Sequence, residues 1–212
     1  MRYRALVPVK SLARAKSRLA SYLSQSQRET LVLDMLSHVL YVLQTCDQLE
    51  QIAVVSADKR VLEQAQIWGA KALREEQPGH NPALHAAAMR ELSEGATALL
   101  TISADLPLLT RDDIHAMIEQ SVQFDVVLAP PRDGWGTNAL LARPPLAIPY
   151  LFGVNSLERH LRAARHRGLR SVLYQSYGLA LDIDTIEDVQ ELSRATARAG
   201  KVYPYPIRSC AG

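Results

Sequence analysis

Glycine-rich phosphate loops, cysteine pairs and long apolar runs are absent or scarce in this sequence of 212 residues. Neither G-x-x-x-x-G-K-[ST] nor G-x-G-x-x-G occurs, which excludes the familiar loops that bind phosphate through glycine amides. The two cysteines, Cys46 and Cys210, offer neither a disulfide framework nor metal-ligand spacing, as is typical of a reducing compartment. No apolar run approaches the roughly 20 residues of a membrane span, and no secretory signal pattern is present. We therefore expect a cytoplasmic protein with no membrane partner.

An excess of one charge sign is also lacking, because 24 Lys and Arg against 22 Asp and Glu give a net charge of +2. So small an excess argues against general nucleic-acid binding, and affinity for polyanions has to come from local clusters. Apolar residues make up 48% and charged residues 22%, a balance typical of a globular chain. We predict one domain over 1–212, with an inserted antiparallel or loop region at 131–153 and a C-terminal tail at 201–212.

Short apolar stretches alternate with amphipathic ones along most of the chain. Their apolar character and flanking breakers predict buried parallel strands at 3–9, 51–56, 96–103 and 125–130. Further strand-like stretches follow at 137–142, 171–176 and 179–184. The alternation predicts an α/β three-layer sandwich with a mainly parallel mixed sheet. We expect the Gly- and Pro-rich region 131–153 to add an antiparallel element that closes over the sheet.

Helix starts are indicated where a capping residue is followed three positions later by an acidic one. Such pairs are Ser26–Glu29, Thr110–Asp113, Asn155–Glu158 and Thr185–Asp188. Asp58 is a further candidate N-cap, and Gly69 is placed to end the helix that Asp58 begins.

Four cations follow the first predicted strand directly, in the stretch VPVKSLARAKSRL. They are Lys10, Arg14, Lys16 and Arg18. The loop after the first strand of an α/β sheet is the usual position for phosphate binding. Without glycine, Lys and Arg side chains would have to grip the anion. The alternatives are a solvated basic linker and a surface helix with Arg14 and Arg18 on one face.

Three aspartates stand where predicted strands end. Asp105 follows an apolar run in TISADLPLL, and a carboxylate there can hold Mg²⁺, which favours oxygen ligands and shares them with phosphates. In LALDIDT a strand would project Asp182 and Asp184 to one side and turn Ile183 into the core. Two adjacent carboxylates repel unless a cation or a proton lies between them. Metal binding and an ordinary turn are both open interpretations of these residues.

Two glycine-containing stretches could form an anion pocket. In GWGTNAL, glycines permit close backbone approach beside the Thr137 hydroxyl. In FGVNSLERH, Gly153 and Ser156 stand at a predicted helix start, where free amides and the positive dipole end favour an anion. The alternative is an ordinary N-cap with a turn. Together with the cations and the aspartates, this pocket would suit transfer of a phosphoryl-type group between two anionic molecules.

No nucleophilic triad is evident, and the six histidines show no ligand spacing, so we expect them to serve in packing or at the surface. A missing general base is tolerable when the attacking oxygen belongs to an ionised phosphate. Catalysis would then consist of positioning plus charge neutralisation.

The motifs together resemble the 2-phospho-L-lactate guanylyltransferases of coenzyme F-420 biosynthesis, some of which prefer phosphoenolpyruvate or 3-phosphoglycerate. The resemblance runs nearly end to end and includes VPVKSLARAKSRL, QRETLVLDML, GHNPALHAA, ADLPLL, GTNALL, FGVNSLERH and LDIDT. It implies a nucleotidyltransferase fold of the glycosyltransferase-A type that uses GTP and Mg²⁺. It also implies that the substrate phosphate attacks the α-phosphorus and releases pyrophosphate. A homodimer is a further expectation from the family.

The resemblance also implies roles for individual residues. The triphosphate loop falls on Lys10, Arg14, Lys16 and Arg18, and the metal ligands on Asp105, Asp182 and Asp184. Lys16, Arg18 and Asp105 are the expected catalytic residues. The phospho-acid pocket falls on Thr137, Gly153 and Ser156, and the residues expected near the guanine are Ser56 and Asn81. Asn81 could instead cap a helix before Pro82, and His80 replaces the leucine usual in the family.

Three alternatives stay open at this point. Another Mg²⁺-dependent nucleotidyltransferase, of the sugar-phosphate or molybdenum-cofactor type, shares the ADLP motif but usually begins with a glycine-rich signature. An Asp-x-Asp glycosyltransferase would place its acid pair at the end of a central strand. A catalytically inactive nucleotide-binding module would be marked by a lost metal ligand, whereas all three carboxylates are present here.

Overall fold

The computed structural model describes residues 1–198, and the predicted tail at 201–212 lies outside the described residues. The strands are β1 (Tyr3–Pro8), β2 (Leu49–Ser56), β3 (Lys71–Arg74), β4 (Ala98–Ile102), β5 (Val126–Ala129), β6 (Ala139–Ala142) and β7 (Ser171–Leu173). The α-helices are α1 (Gln25–Gln44), α2 (Lys59–Ile67), α3 (His80–Ser93), α4 (Arg111–Gln123), α5 (Ser156–His166), α6 (Tyr177–Ala180) and α7 (Ile186–Arg198). Two 3-10 turns follow β1, at Leu12–Arg14 and Ser17–Leu19. Within this part of the chain, no helix combines the length and apolar character needed to cross a bilayer.

The strands form one mixed sheet in the order β3-β2-β1-β4-β6-β5-β7. All neighbours pair in parallel except β6, which is antiparallel to both β4 and β5. An antiparallel element from 131–153 is therefore confirmed, but it lies inside the sheet and does not close over it. The reason is that all four residues of β6 are apolar and buried, which suits a strand paired and covered on both sides.

Side chains of β1 alternate between two layers of helices. Tyr3, Ala5 and Val7 are buried in a cluster completed by α1, α2 and α4. Leu6 is buried in the opposite cluster, against α3 and α5. Because a strand projects successive side chains to opposite faces, this alternation places helices on both sides of the sheet. The predicted three-layer α/β sandwich with a mainly parallel sheet is confirmed.

The prediction of a strand at 179–184 is wrong. The Ser176 side chain accepts a hydrogen bond from the Leu179 backbone N–H, so the chain closes the short helix α6 and then continues without regular structure to Asp184. The alternation expected of a strand nevertheless persists, because Ile183 is buried while the aspartates on either side are partly exposed. The short strand β3 was not predicted.

Most predicted helix starts are confirmed. Asp58 caps α2, Thr110 and Asp113 form a capping box, Thr185 and Asp188 pair in the same way, and Gly69 follows α2 at φ +81°. The predicted Ser26–Glu29 box is wrong, because α1 begins two residues earlier with a Ser24–Gln27 box.

The predicted Asn155–Glu158 box is also wrong. Asn155 adopts the left-handed conformation (φ 52°) and makes no side-chain cap bond, although α5 does begin at the next residue. Glu158 instead pairs with Arg162 and Arg165 farther along the helix.

Candidate active site

A cavity of about 810 Å³ opens at the carboxyl ends of β1 and β4, the edge where open α/β sheets bind ligands. Except for Ser56 and Asn81, all the predicted site residues line this cavity, namely Lys10, Arg14, Lys16, Arg18, Asp105, Thr137, Gly153, Ser156, Asp182 and Asp184. The cationic loop, the three aspartates and the predicted anion pocket therefore share one space.

The cationic loop is not a surface helix. Its two 3-10 turns are separated by Lys16, which has a left-handed backbone (φ 49°). Arg14 and Arg18 consequently lie on different turns, so the alternative of a surface helix with both residues on one face does not hold. A left-handed residue with a β-carbon costs about 1–2 kcal/mol. Leu12 and Leu19, buried on either side of Lys16, hold the loop in this shape.

Asp58 fixes the start of the loop. Its Oδ2 accepts hydrogen bonds from the Leu12 backbone N–H at 2.9 Å and from Ser11 Oγ at 3.3 Å. Its Oδ1 accepts from the Arg60 backbone N–H at 3.0 Å. One carboxylate thus caps α2 and ties the cationic loop to it.

Lys16 lies between two of the predicted metal ligands. Its side chain is only 9% exposed, and Nζ donates to Asp105 Oδ2 and, at 2.9 Å, to Asp184 Oδ1. Burial alone would lower the pKa of Lys16, but the charges of Asp105 and Asp184 outweigh burial and hold the pKa above its usual range. Lys16 is therefore a permanent cation in the cavity.

The third aspartate lacks such a partner. Burial, followed by the negative charge of Asp105, raises the pKa of Asp182 to about 6, against a smaller opposing effect of the hydrogen bond from Asn138 Nδ2. Burial would also raise the pKa of Asp184, but the Lys16 charge holds it below its usual range. The Lys16 ammonium group thus pairs with the carboxylates of Asp105 and Asp184, and within the described part of the chain no cation pairs with the carboxylate of Asp182.

Apolar packing holds the acid segment beside the cationic loop. Ile183 and Leu19 are buried in one cluster with residues of α1 and α7. The Ile183 backbone N–H donates to the Asp105 carbonyl at 3.2 Å, and the Asp184 N–H donates to Asp188 Oδ2 at 3.1 Å. Packing of the Ile183 side chain and the backbone hydrogen bonds of this segment therefore bring the aspartates together. A ladder of strand hydrogen bonds is not required to position them.

The aspartates provide a donor set for a hard cation. As they stand among residues 1–198, no three His, Cys, Asp or Glu side chains make a group that could hold a metal ion. Asp105 and Asp184 are instead joined by the Lys16 ammonium, which occupies the place of a cation. Carboxylate oxygens are the ligands that Mg²⁺ prefers, and all three aspartates line the same cavity. The chemistry of this donor set therefore fits a divalent cation.

The predicted anion pocket is a network of neutral groups. Ser156 Oγ donates to Thr137 Oγ1 at 3.0 Å, and His160 Nδ1 lies 3.1 Å from the same Thr137 atom. His160 Nε2 accepts from the Leu151 backbone N–H at 3.0 Å. Gly153 has φ +117°, a conformation that favours glycine. The pocket therefore offers hydroxyl groups without a formal charge.

His160 was expected to be an ordinary packing or surface residue, and its place in the pocket was missed. It is fully buried and packs against the Phe152 ring with centroids 5.1 Å apart. A signal was present, because Ser156 and His160 are four residues apart and so share one face of α5.

Ser56 and Asn81 were expected near the guanine, but their side chains are committed elsewhere. Ser56 is fully buried, and its Oγ accepts from the Asp58 backbone N–H at 3.0 Å. Asn81 Oδ1 accepts from the Phe152 N–H at 2.9 Å, and Asn81 Nδ2 donates to the Phe152 carbonyl at 3.0 Å. Asn81 therefore holds the backbone next to Gly153 in place.

Asn81 does not cap a helix either. Helix α3 begins at His80, with Gly79 at the N-cap position and φ +99°. His80 lines the main cavity and meets the Phe152 ring edge-on, with centroids 5.5 Å apart. Burial, and then the charge of Lys10, lower the pKa of His80.

A smaller cleft of about 130 Å³ adjoins the main cavity and shares four lining residues with it, namely Pro8, Val9, Lys10 and His80. Its walls are mostly apolar and consist of Pro8, Val9, Lys10, Val55, Glu75, His80, Ala83 and Leu84. Glu75 is the one carboxylate on these walls. Sequence reasoning missed this residue, which carries no motif.

Solved structures share the fold at low sequence identity. A proposed nucleotide-diphospho-sugar transferase from Desulfovibrio desulfuricans G20 is 15% identical, with a TM-score of 0.79, and the match covers 92% of this chain and 88% of that one. A cytidylyltransferase from Leptospira borgpetersenii is 14% identical, with a TM-score of 0.61, over 93% of this chain and 87% of that one. The predicted nucleotidyltransferase fold of the glycosyltransferase-A-like type is confirmed.

Two relatives share far more sequence. A phosphoenolpyruvate guanylyltransferase from Sphaerobacter thermophilus is 44% identical over 189 residues, which cover 89% of this chain and 91% of the relative. A 2-phospho-L-lactate guanylyltransferase from Methanothermobacter thermautotrophicus is 38% identical over 189 residues, covering 89% and 82%. The family model described as "Guanylyl transferase CofC like" matches residues 3–197. The chain therefore belongs to the CofC-like guanylyl transferase family.

Proposed function

We propose that the protein transfers GMP from GTP to the phosphate of a small three-carbon phospho-acid and releases pyrophosphate. The observation that carries this proposal is that one cavity joins a cationic loop, a carboxylate cluster and a neutral hydroxyl pocket. The names of the relatives supply the class of acceptor, since they specify phosphoenolpyruvate or 2-phospho-L-lactate. We further propose that this step belongs to coenzyme F-420 biosynthesis in the cytoplasm.

The cationic loop is suited to the triphosphate. An oxygen of the acceptor phosphate forms a bond to the α-phosphorus, and the bond from that phosphorus to the bridging oxygen breaks. The electron pair leaves with pyrophosphate. The attacking oxygen is already ionised, so no general base is required. Lys16 and Arg18 counter the charge that grows on the leaving group, while Lys10 and Arg14 hold the outer phosphates.

The carboxylate cluster is suited to Mg²⁺. Asp105, Asp182 and Asp184 would hold the ion, which when bound neutralises phosphate oxygens and polarises the phosphorus–oxygen bonds. Lys16 would exchange its carboxylate partners for phosphate oxygens. The same side chain would thus balance the aspartates before the nucleotide binds and the triphosphate afterwards.

The smaller cleft is suited to the guanine. A guanine presents two adjacent donors on its Watson–Crick edge, N1–H and the 2-amino group, and a carboxylate can accept from both. Adenine presents an acceptor at N1, which a carboxylate repels. Glu75 is the carboxylate on the cleft wall, and Lys10 lies between this cleft and the main cavity. We assign base selection to Glu75 in place of Ser56 and Asn81.

The hydroxyl pocket is suited to the acceptor. Thr137 and Ser156 supply hydroxyl groups, and Gly153 with the first turn of α5 supplies backbone close to the cavity. Amides at a helix N-terminus attract anions. Phosphoenolpyruvate, 2-phospho-L-lactate and 3-phosphoglycerate are the acceptors to compare.

Pyrophosphate release tests the proposal. The purified protein is assayed with each of the four ribonucleoside triphosphates, each of the three phospho-acids and a sugar 1-phosphate, with and without Mg²⁺. We expect release to require GTP, Mg²⁺ and one of the phospho-acids. Release with the sugar phosphate, or with GTP and no acceptor, would contradict the proposal. Light scattering at micromolar concentration tests the expected homodimer separately.

A further inference from the structure

His160 sets the direction of the hydrogen bonds in the hydroxyl pocket. Its Nε2 accepts from the Leu151 backbone N–H, so this nitrogen carries no proton. A neutral imidazole has one proton, which must then lie on Nδ1. Nδ1 therefore donates to Thr137 Oγ1, 3.1 Å away. Neither bond requires a charged ring, and burial, then the nearby Arg159, lower the pKa of His160 to about 4.

The direction of this bond decides what the hydroxyl pair can offer the cavity. Thr137 and Ser156 each carry one hydroxyl proton, and one of the two is used in the 3.0 Å bond between them. Because Thr137 accepts from His160, the second proton is not taken up by the ring. Both side chains line the cavity, so this proton is available to a ligand there. The opposite tautomer would accept from Thr137 and leave no hydroxyl proton for the ligand.

We propose that His160 is a positioning residue that makes the Thr137–Ser156 pair an obligatory hydrogen-bond donor to an oxyanion of the acceptor. The proposal rests on the proposed function for the identity of that oxyanion, a carboxylate or phosphate oxygen of the phospho-acid. In this proposal the hydroxyl pocket differs from the cationic loop, because the pocket recognises its ligand through a hydroxyl proton in a fixed position and not through a charged side chain. His160 itself does not line the cavity and acts through Thr137.

Two matched variants separate the two bonds of the ring. In His160→Asn, the side-chain amide can reach the position of Nδ1 and donate to Thr137. In His160→Gln, the amide oxygen can reach the position of Nε2 and accept from Leu151 N–H, but the donor to Thr137 is lost. Both variants lose the ring contact with Phe152, so a purely structural role predicts similar effects for the two.

We expect His160→Gln to raise KM for the phospho-acid about tenfold or more, the size of one lost hydrogen bond to a charged group. KM for GTP should stay within about twofold, and His160→Asn should keep KM for the acid within about threefold. In a Thr137→Val background, His160→Gln should add no further increase. The proposal would be overturned if His160→Gln and His160→Asn raised KM for the phospho-acid equally. It would also be overturned if His160→Gln raised KM for GTP as much as KM for the phospho-acid.

A measurement on the unmodified protein tests the tautomer without relying on activity. In ¹⁵N-histidine NMR spectra at neutral pH, His160 should show a protonated Nδ1 and an unprotonated Nε2. The opposite tautomer, or a doubly protonated ring, would refute the inference even in a variant series that folds poorly. Because this result does not depend on guanylyl transfer, failure of the proposed function and failure of the His160 assignment are distinguishable.

Discussion

Two groups of residues on the cavity wall differ in how they are built. Beside the carboxyl ends of β1 and β4, Lys16 and three aspartates form a charged cluster in which Lys16 Nζ contacts both Asp105 and Asp184. The second group consists of Thr137 and Ser156, which form a buried network of neutral groups with His160. Charge suits a triphosphate, whose bonding changes as pyrophosphate leaves. Oriented neutral donors suit a small acid that must be held in one position for attack.

The difference predicts unequal sensitivity to mutation. In the proposed reaction the charged groups would act on the charge that develops on pyrophosphate, so their loss should mainly lower kcat. The neutral groups would hold one substrate, so their loss should mainly raise the KM for that substrate. Four predictions follow from the roles assigned to these residues, in order of decreasing expected effect.

Asp105→Asn should lower Mg²⁺-dependent turnover by about a thousandfold or more, because several kcal/mol of charge stabilisation depend on the metal ligands. The variant should stay folded, since Asp105 is partly exposed and its backbone carbonyl still accepts from Ile183. Pyrophosphate release and circular dichroism measure the two effects. An unfolded variant would mean that Asp105 is structural, and turnover within about tenfold of the parent would remove it from the metal site.

Lys16→Ala should lower kcat about a hundredfold and raise KM for GTP, because a preorganised cation facing the leaving group is lost. Arg18→Ala should act in the same direction with a smaller effect. Lys59→Ala is the matched control, since Lys59 is an exposed lysine paired with Glu63 on α2. Unchanged steady-state kinetics in both Lys16→Ala and Arg18→Ala would refute a triphosphate role for the loop.

The pH dependence of stability should reveal the neutral character of His160. Its pKa falls from 6.5 in the unfolded chain to about 4 in the folded protein. The unfolded state therefore binds more protons in this range, and the stability that His160 contributes is present above pH 6.5 and lost as the pH falls towards 4. The loss in unfolding free energy should be about 2–3 kcal/mol.

Denaturant unfolding at several pH values measures this loss. His160→Asn should remove that part of the pH dependence. His166→Asn, on the exposed end of the same helix, serves as the control and should leave it in place. The same pH profile in wild type and His160→Asn would show that His160 is not held neutral.

Glu75→Gln should raise KM for GTP about tenfold, because the guanine loses a charge-assisted hydrogen bond. The preference for GTP over ITP, which lacks the 2-amino group, should narrow. Glu76→Gln is a close control, since the neighbouring Glu76 is exposed and pairs with Arg90. A GTP/ITP preference unchanged by Glu75→Gln would place the base elsewhere.

Local sequence patterns were sufficient to predict which residues lie at the ligand-binding edge of the sheet and which charged residues line the cavity. Asp182 and Asp184 were predicted to lie on the same side because Ile183 lies between them. That placement is correct even though the strand prediction for this segment is wrong. The reason is that burial of Ile183, and not a ladder of hydrogen bonds, decides which way the neighbours point. Lys16 and Asp105 were found for a similar reason, since strand ends in an α/β sheet converge on one edge.

Long-range partners could not be predicted in this way. Asn81 has the pattern of a helix cap before proline, yet both its hydrogen bonds go to Phe152, 71 residues away. A single histidine gives no sign of its tautomer, which for His160 is fixed by the backbone of Leu151. Glu75 carries no motif, and it acquires a candidate role because folding places it on the wall of a cleft.

The most direct test is a crystal structure of the protein with Mg²⁺, a non-hydrolysable GTP analogue and phosphoenolpyruvate. We expect Asp105, Asp182 and Asp184 to hold the ion and Lys16 to contact phosphate instead of carboxylate. We also expect the acid to accept a hydrogen bond from the Thr137–Ser156 pair. A nucleotide bound while Lys16 still joins Asp105 to Asp184, or an acid bound away from Thr137, would contradict these expectations.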